Sequence, residues 1–340
     1  MKDLIQNILN GNRRALARML TMVENEREGY QQALAALFPH TGHAWVIGIT
    51  GAPGTGKSSL VNALAQKYRQ QDKTVGILAV DPTSPFTGGA ILGDRIRMRD
   101  LYSDPGVFIR SMATRGSLGG LSRATRDAIR VMDAGGFDVI LVETVGAGQS
   151  EVDIVRTAQT TIVVEAPGLG DDIQAIKAGI LEIADILVVN KADRVGAKNT
   201  VQALKMMLEI GHPAARTQPV LHHGELMQIE NHTSINPTPL WIPPIIQTIT
   251  MDFTGIDALI QAIENHRAYI EQNHLSAEIE RERIRIELYE RLQNVLMTRL
   301  MNGLTQQQIE AVVERVRTRE LEPSQAVMML IDMHNTEGML

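Results

Sequence analysis

The residues best suited to chemistry lie in one glycine-rich segment near the amino end of the chain. Residues 51–58 read Gly-Ala-Pro-Gly-Thr-Gly-Lys-Ser, a full match to the phosphate-binding pattern GxxxxGK followed by Ser or Thr. Glycines let consecutive backbone N–H groups turn toward a polyphosphate, and the lysine reaches its β- and γ-phosphates. The serine hydroxyl is a Mg²⁺ ligand in such loops, and the alternative interpretation is a purely structural turn. The predicted nucleotide-binding residues of this segment are Gly51, Ala52, Pro53, Gly54, Thr55, Gly56, Lys57, Ser58 and Ser59.

A second polar segment, Asn-Lys-Ala-Asp at residues 190–193, directly follows an apolar run. Guanine presents an N1–H beside an N2 amino group, so the Asp193 carboxylate can accept both hydrogen bonds, whereas adenine presents an acceptor at N1. The Lys191 stem can lie over the base, and Asn190 either contacts the ring edge or braces the phosphate loop. A wrong base leaves buried polar groups unpaired, which lowers affinity. Alone, the tetrapeptide also fits a turn at a strand end; after a phosphate loop it predicts GTP rather than ATP.

Acidic residues that follow two further apolar runs are candidate Mg²⁺ ligands. Glu143 and Asp81 each come directly after such a run, and Asp94 lies farther along the chain. Carboxylate oxygens are the ligands expected beside a phosphate-bound Mg²⁺, although either aspartate alone fits a helix cap or a turn. Gly146 stands where a glycine N–H bonds the γ-phosphate in nucleotide hydrolases. The predicted metal ligands are Ser58, Asp81, Asp94 and Glu143.

The elements that must position these residues alternate along the middle of the chain. Short β-branched runs are separated by segments of helical periodicity, such as 58–70 and 123–134, which indicates an α/β fold with a mainly parallel central sheet. The expected organisation is a helical extension over 1–42, a nucleotide-binding domain over 43–272 and a helical region over 273–340. Strands are predicted at 45–50, 74–80, 107–109, 138–142, 161–165, 185–189 and 245–249.

Both ends of the chain show helical patterns. Leu16, Met19, Leu20 and Val23 share one helix face near the amino end. In the tail, apolar residues recur every four positions from Ile284 onward, Thr305 and Gln308 form a capping-box pattern, and Pro323 suits the first turn of a last helix. Residues 211–240 contain four prolines and show no steady period of apolar residues. This pattern predicts a long loop or a partly disordered insert.

Composition excludes several functional classes. The 340 residues include no cysteine, which excludes a disulfide scaffold, a thiolate metal site and a thiol nucleophile. A net charge of −6 argues against binding to a nucleic-acid backbone. Because no run approaches the roughly 18 apolar residues of a membrane span, a cytoplasmic protein with no membrane partner is expected. The pair His222–His223 has no third ligand at suitable spacing and is interpreted as part of a solvated loop.

Longer segments make the sequence resemble one family. Residues 81–94, 108–110, 115–120, 143–151 and 170–180 closely resemble the MeaB/ArgK family, which consists of P-loop GTPases of the signal-recognition-like class. The resemblance runs from about residue 40 to Asp193 and continues more loosely into both helical ends. It implies a GTP-dependent chaperone of an adenosylcobalamin-dependent acyl-CoA mutase, such as methylmalonyl-CoA mutase, which gates cofactor loading. It also implies a homodimer formed through the tail.

The resemblance assigns roles to individual positions. Asp81 and Asp94 match the carboxylates of a first switch, and Glu143 matches the acid of a second. A third, partner-sensing switch corresponds to Asp171, Gln174 and Lys177. The expected catalytic residues are Lys57, Asp94, Glu143 and Lys177. The family's guanine-contacting Ser-Ala pair is replaced here by Ile249-Thr250, which leaves backbone N–H groups to contact the base.

Two other functions are compatible with these motifs. A P-loop kinase, or an ATPase linked to amino-acid transport, would need an acceptor pocket and an adenine site. A non-catalytic module would use GTP only as a structural latch. Arg110, Arg115 and Arg123 either supply charge to the transferring phosphoryl group or form ion pairs. No glutamine or histidine is aimed at the attacking water by the sequence, so slow intrinsic turnover that a partner accelerates is expected.

Overall fold

The computed structural model describes residues 1–82, 99–114, 120–144, 157–168, 183–211 and 240–337. It divides the chain into two compact units, Met1–Leu275 and Ser276–Leu340. The first unit contains all of the described strands and the helices of the amino-terminal extension. Over residues 276–337, the regular structure of the second unit is helical.

The first unit is built on a sheet in which the described residues form seven parallel strands, in the order β3-β2-β4-β1-β5-β6-β7. This confirms the predicted α/β class with a parallel central sheet. The strands span β1 Trp45–Thr50, β2 Val75–Pro82, β3 Val107–Thr114, β4 Val139–Thr144, β5 Thr160–Glu165, β6 Ile186–Asn190 and β7 Ile245–Thr248.

Helices cover both faces of the sheet in the first unit. They span α1 Lys2–Leu9, α2 Arg13–Glu24, α3 Tyr30–Leu37, α4 Lys57–Gln70, α5 Arg99–Tyr102, α6 Gly120–Ala134, α7 Ala197–Gly211 and α8 Ile256–Gln272. One face packs its apolar side chains against α1, α2, α3 and α6, and the other against α4 and α8. The apolar residues predicted to share one face of α2, from Leu16 to Val23, are buried in the first of these cores.

Strand β3 is longer than the sequence predicts. The apolar run ends at Ile109, yet the strand continues to Thr114, and its whole length pairs in parallel with β2. Because β3 is the edge of the sheet, a polar side chain on it lies near the rim of the core, where it can reach a charged partner. Arg110 forms such an ion pair with Glu24 at the end of α2.

A buried carboxylate fastens the segment that connects the amino-terminal helices to β1. Asp133, near the end of α6, accepts hydrogen bonds from three consecutive backbone N–H groups, those of Gly42, His43 and Ala44. A charged acceptor strengthens such bonds. The amino-terminal helices therefore enter the sheet through a fixed connection.

The second unit contains three helices among its described residues: α9 Ser276–Asn302, α10 Gln306–Arg317 and α11 Pro323–Glu337. Thr305 and Gln308 form the predicted capping box at the start of α10. Leu288, Leu292 and Leu296 on α9 each expose more than half of their surface within the single chain. Across the described ranges, every helix is too short or too polar to cross a bilayer.

Candidate nucleotide-binding site

The glycine-rich segment forms the loop between β1 and α4, so it lies at the carboxyl end of a central strand and at the amino end of a helix. Gly51, Gly54 and Gly56 have φ angles of 138°, 83° and 94°, a region that side chains rarely adopt. A Cβ on Gly51 would also overlap the backbone of Val164 in β5. The loop therefore needs glycine for its conformation and, at Gly51, for its closeness to the sheet.

Lys57 is the first residue of α4, and its side chain folds back over the loop. Its ammonium Nζ donates hydrogen bonds to the carbonyl oxygens of Gly51, at 2.6 Å, and Ala52, at 3.0 Å. The residue is 6% exposed. An ammonium group has three donors, and here they lie inside the loop that the sequence assigns to phosphates.

The structure brings two of the predicted metal ligands together. The hydroxyl of Ser58 donates a hydrogen bond of 2.6 Å to Oε1 of Glu143, the residue before the last of β4, in register with Ile49 of β1. Both side chains are buried. A hydroxyl and a carboxylate in contact offer the oxygen ligands that Mg²⁺ prefers, so these residues fit the ion. Asp81 lies near the end of β2, which pairs with β4, so its backbone reaches the same edge of the sheet.

The described ranges contain no group of three or more His, Asp or Glu side chains arranged for a metal ion. The Ser58–Glu143 pair offers two oxygen atoms, and Mg²⁺ in nucleotide-binding proteins takes its other ligands from phosphates and water. This differs from a resident metal centre, in which protein ligands supply most of the coordination.

The Asn-Lys-Ala-Asp segment at residues 190–193, the predicted base-reading segment, contacts the phosphate loop directly. Asn190, the last residue of β6, donates from Nδ2 to the carbonyl oxygen of Thr55 at 2.9 Å. Lys191, in a left-handed conformation with a φ of 56°, donates from Nζ to the carbonyl oxygen of Gly54 at 2.5 Å. Of the two roles considered for Asn190, the structure displays the bracing contact. Asp193 is exposed, so its carboxylate is accessible to a base.

The two predicted base contacts in the turn after β7, Ile249 and Thr250, differ in their hydrogen bonding. The N–H of Ile249 donates to the carbonyl oxygen of Thr254 at 3.0 Å, within a short antiparallel bridge. That proton is already used inside the turn, so Ile249 is the weaker of the two candidates for contacting guanine. Thr250, the next residue in the turn, is the remaining predicted contact.

Sequence reasoning missed a residue that the structure adds to this site. The hydroxyl of Thr248, at the end of β7, donates to Oδ1 of Asn190 at 3.1 Å. The available signal was a hydroxyl residue one position before the end of the strand predicted at 245–249. Parallel strands end at the same edge of a sheet, which puts Thr248 beside the end of β6.

Two of the three arginines with alternative roles form ion pairs. Arg110 on β3 pairs with Glu24, and Arg123 on α6 pairs with Glu26. Both acidic partners lie at the end of α2 or just beyond it, so these arginines join the amino-terminal helices to the sheet and to α6.

Several predicted residues lie outside the described ranges, and nothing structural is concluded about them. They are Asp94, Arg115, Gly146, Asp171, Gln174, Lys177, His222 and His223, together with residues 212–239 of the proposed insert.

The chain is similar to several known proteins. A solved structure titled as a LAO/AO transport system kinase matches with a TM-score of 0.69 and 24% identity, over 97% of this chain and 96% of that one, which shows the shared fold. A putative GTPase of Pyrococcus abyssi is 44% identical over 97% of this chain and 95% of its own length. A Caenorhabditis elegans protein named methylmalonic aciduria type A homolog, mitochondrial, is 33% identical over 67% of this chain and 64% of its own length.

The family model described as methylmalonyl Co-A mutase-associated GTPase MeaB matches residues 16–305. This range includes the phosphate loop, the base-reading segment and the sheet that holds them. These relatives support a P-loop enzyme that binds guanine nucleotides and hydrolyses GTP. The chain therefore belongs to the MeaB/ArgK family of P-loop GTPases.

Proposed function

We propose that this protein is a Mg²⁺-dependent GTPase that acts as a chaperone of an adenosylcobalamin-dependent acyl-CoA mutase of the methylmalonyl-CoA mutase type. The observation that carries the GTPase part is the buried Ser58–Glu143 pair beside a glycine loop that Asn190 braces. The family description and the name of the C. elegans relative support the mutase as partner. In this proposal, GTP binding and hydrolysis gate the loading of the cofactor and protect or reactivate the mutase.

The phosphate loop contributes mainly by position and charge, because phosphoryl transfer leaves little covalent chemistry to protein groups. When bound, Mg²⁺ neutralises charge on the β- and γ-phosphates. Ser58 and Glu143 would hold it, directly or through water, together with Asp81 and Asp94. Lys57 exchanges one or both of its loop carbonyl contacts for phosphate oxygens and so delivers its charge where negative charge develops.

The three switch segments named in the sequence analysis link GTP hydrolysis to the partner in this proposal. Asp171, Gln174 and Lys177 sense the partner mutase, and Lys177 with Asp94 contributes to catalysis. Intrinsic turnover is slow and rises when the mutase binds, since the client supplies or orders a group that the free protein leaves out of place. GTP binding then shifts the equilibrium between two arrangements of the switches, and the mutase responds to the arrangement that is favoured.

The helical tail, residues 273–340, is proposed to form a homodimer, and the protein is proposed to act in the cytoplasm. Leu288, Leu292 and Leu296 give α9 an exposed apolar row in the single chain. Burying such a row against a second copy removes apolar surface from water. Sedimentation of the full chain tests this, because a monomer at micromolar concentration would contradict the dimer.

Nucleotide titration tests the base and phosphate sites. GTP and GDP should bind in the presence of Mg²⁺, and ATP should fail to displace labelled GDP. Lys57→Ala should lower GDP affinity by about tenfold or more, because a hydrogen bond to a charged group contributes roughly 1.5–3 kcal/mol. Lys198→Ala, on the exposed surface of α7, is the matched control and should bind as the wild type does. Undiminished binding by Lys57→Ala would place the polyphosphate elsewhere.

Phosphate release separates the chaperone from its alternatives. The wild-type protein should hydrolyse GTP slowly, and a purified client acyl-CoA mutase should increase the rate. Displacement of GDP by ATP as effectively as by GTP would favour the kinase or transport ATPase. GTP binding without phosphate release, with or without methylmalonyl-CoA or isobutyryl-CoA mutase, would favour the structural latch.

A further inference from the structure

We infer that Thr144 is a positioning residue for the Mg²⁺ ligands, which acts by joining two halves of the sheet at the edge that carries the nucleotide site. The inference rests on the proposed Mg²⁺-dependent binding of guanine nucleotides. It assigns a role to a residue that belongs neither to the phosphate loop nor to the predicted metal ligands. One contact carries it: the Thr144 hydroxyl donates a hydrogen bond of 3.0 Å to the hydroxyl oxygen of Thr50.

The pairing of β1 with β4 divides the sheet into two halves. One half, β3-β2-β4, contains the predicted Mg²⁺ ligands Asp81 and Glu143. The other half, β1-β5-β6-β7, leads into the phosphate loop and into the Asn-Lys-Ala-Asp segment. The nucleotide site therefore lies across the boundary between the halves, and its geometry depends on how closely they are joined at this edge.

The backbone pairing between the halves ends before the strands do. Glu143 is the last residue of β4 in register with β1. One residue farther along, Thr144 remains in register with Val80 of β2. Thr50 likewise remains in register with Val163 of β5. The hydroxyl–hydroxyl bond therefore joins the two halves at the point where their backbone pairing has ended.

The Thr144–Thr50 bond lies on the face of the sheet opposite the Mg²⁺ ligands. Consecutive residues of a strand point to opposite faces. Glu143 reaches Ser58 on α4, so Thr144 points to the face that packs against α6 and the amino-terminal helices. When Ser58 and Glu143 turn to a Mg²⁺ ion, the hydrogen bond between them is lost, whereas the threonine bond is unaffected. It can therefore hold the strand ends in one relation before and after nucleotide binding.

Loss of the Thr144 hydroxyl should act mainly on the metal ligands. Thr144 and Thr50 are 2% and 0% exposed, so water cannot replace the lost donor, and an unpaired buried acceptor costs free energy. The strand ends should then separate, and Glu143 should move away from Ser58 with its strand. The phosphate loop belongs to the other half and keeps its own contacts. Mg²⁺ should therefore strengthen GDP binding less than it does in the wild type.

The experiment measures the GDP affinity of the full chain by calorimetry, once with Mg²⁺ and once with EDTA. Thr144→Val, which keeps the shape but removes the hydroxyl, should lower the affinity about tenfold in Mg²⁺ and by no more than about twofold in EDTA. Thr144→Ser keeps the hydroxyl and should bind as the wild type does. Thr161→Val, at a buried threonine of β5, is the matched control and should keep both affinities.

A double variant separates the bond from the two residues that form it. Thr50→Val lacks the same hydrogen bond and should show the same selective loss in Mg²⁺. Thr50→Val combined with Thr144→Val should lose no more affinity than either substitution alone, because all three proteins lack one and the same bond. Urea unfolding followed by circular dichroism checks that each variant is folded when its affinity is compared.

Three results would overturn the inference. The first is a folded Thr144→Val protein that binds GDP in Mg²⁺ as tightly as the wild type. The second is a loss of equal size in Mg²⁺ and in EDTA, which would assign the effect to the general packing of the sheet. The third is a double variant whose loss is the product of the two single losses. A wild-type protein that binds no GDP, or binds it equally well without Mg²⁺, would instead contradict the proposed function, so the two failures are distinguishable.

Discussion

Replacing Gly56 by alanine tests whether the phosphate loop and the base-reading segment are packed as one unit. Gly56 has a φ of 94°, and an added Cβ would lie within 3.0 Å of Nδ2 of Asn190. That amide cannot simply swing away, because Thr248 and the Thr55 carbonyl hold its two ends. The substitution should therefore strain the backbone and displace a buried hydrogen bond together.

The expected cost is the sum of these two effects. A left-handed conformation disfavours a residue with a Cβ by about 1–2 kcal/mol, and displacing a buried hydrogen bond costs roughly 1–3 kcal/mol. Gly136, in the turn after α6, has a φ of 85° and nothing within 4 Å of an added Cβ. Gly136→Ala should therefore incur only the first cost. The free energy of unfolding should be lower for Gly56→Ala than for Gly136→Ala by about 1–3 kcal/mol.

Urea unfolding followed by circular dichroism measures the difference, and calorimetry with GDP reports the effect on the site. Gly56→Ala should lose most of its GDP affinity, while Gly136→Ala should keep it. Equal destabilisation of the two variants together with wild-type GDP binding by both would refute the reasoning. It would mean that Asn190 does not restrain the loop.

Three further predictions concern stability. Asp133→Ala should lower the unfolding free energy by at least about 3 kcal/mol, because three N–H groups at 42–44 lose a charged acceptor; an unchanged urea midpoint would contradict this. The hydrogen bond from Arg69 holds the pKa of Asp104 below its ordinary value, so its contribution is present above about pH 4 and is lost as the pH falls through the lowered pKa. Asp104→Asn should accordingly be least destabilising at low pH, and a pH-independent difference would argue against the pair. Thr305→Ala should weaken the start of α10 by about 1 kcal/mol, as measured by thermal unfolding.

The sequence was most informative where a motif is local. The glycine loop needs only its own residues, a strand before it and a helix after it, so its place between β1 and α4 followed from the pattern. The β-branched runs also identified all seven described strands. The β3 boundary was wrong because an edge strand accepts polar residues such as Arg110, which an apolar-run criterion excludes.

Contacts between distant segments were beyond the reach of sequence reasoning. Thr248 donates a hydrogen bond to Asn190, and Asp133 accepts hydrogen bonds from residues 42–44, across long intervals of chain. Neither threonine nor aspartate is unusual at a strand end or in a helix, so composition and spacing give no sign of the partner. Only the order of the strands and the packing of the helices bring these pairs within hydrogen-bond distance.

The middle position of β1 has a consequence for synthesis on the ribosome. Its two neighbours, β4 and β5, are both made later, and the strand pairs with Val139 on one side and Thr160 on the other. A nascent chain that has emerged only as far as α6 carries every residue of the glycine loop but neither flanking strand. Nucleotide capture during translation should therefore begin only after β5 has left the exit tunnel, and a fragment ending before that point should be a substrate for proteases whether or not GDP is present.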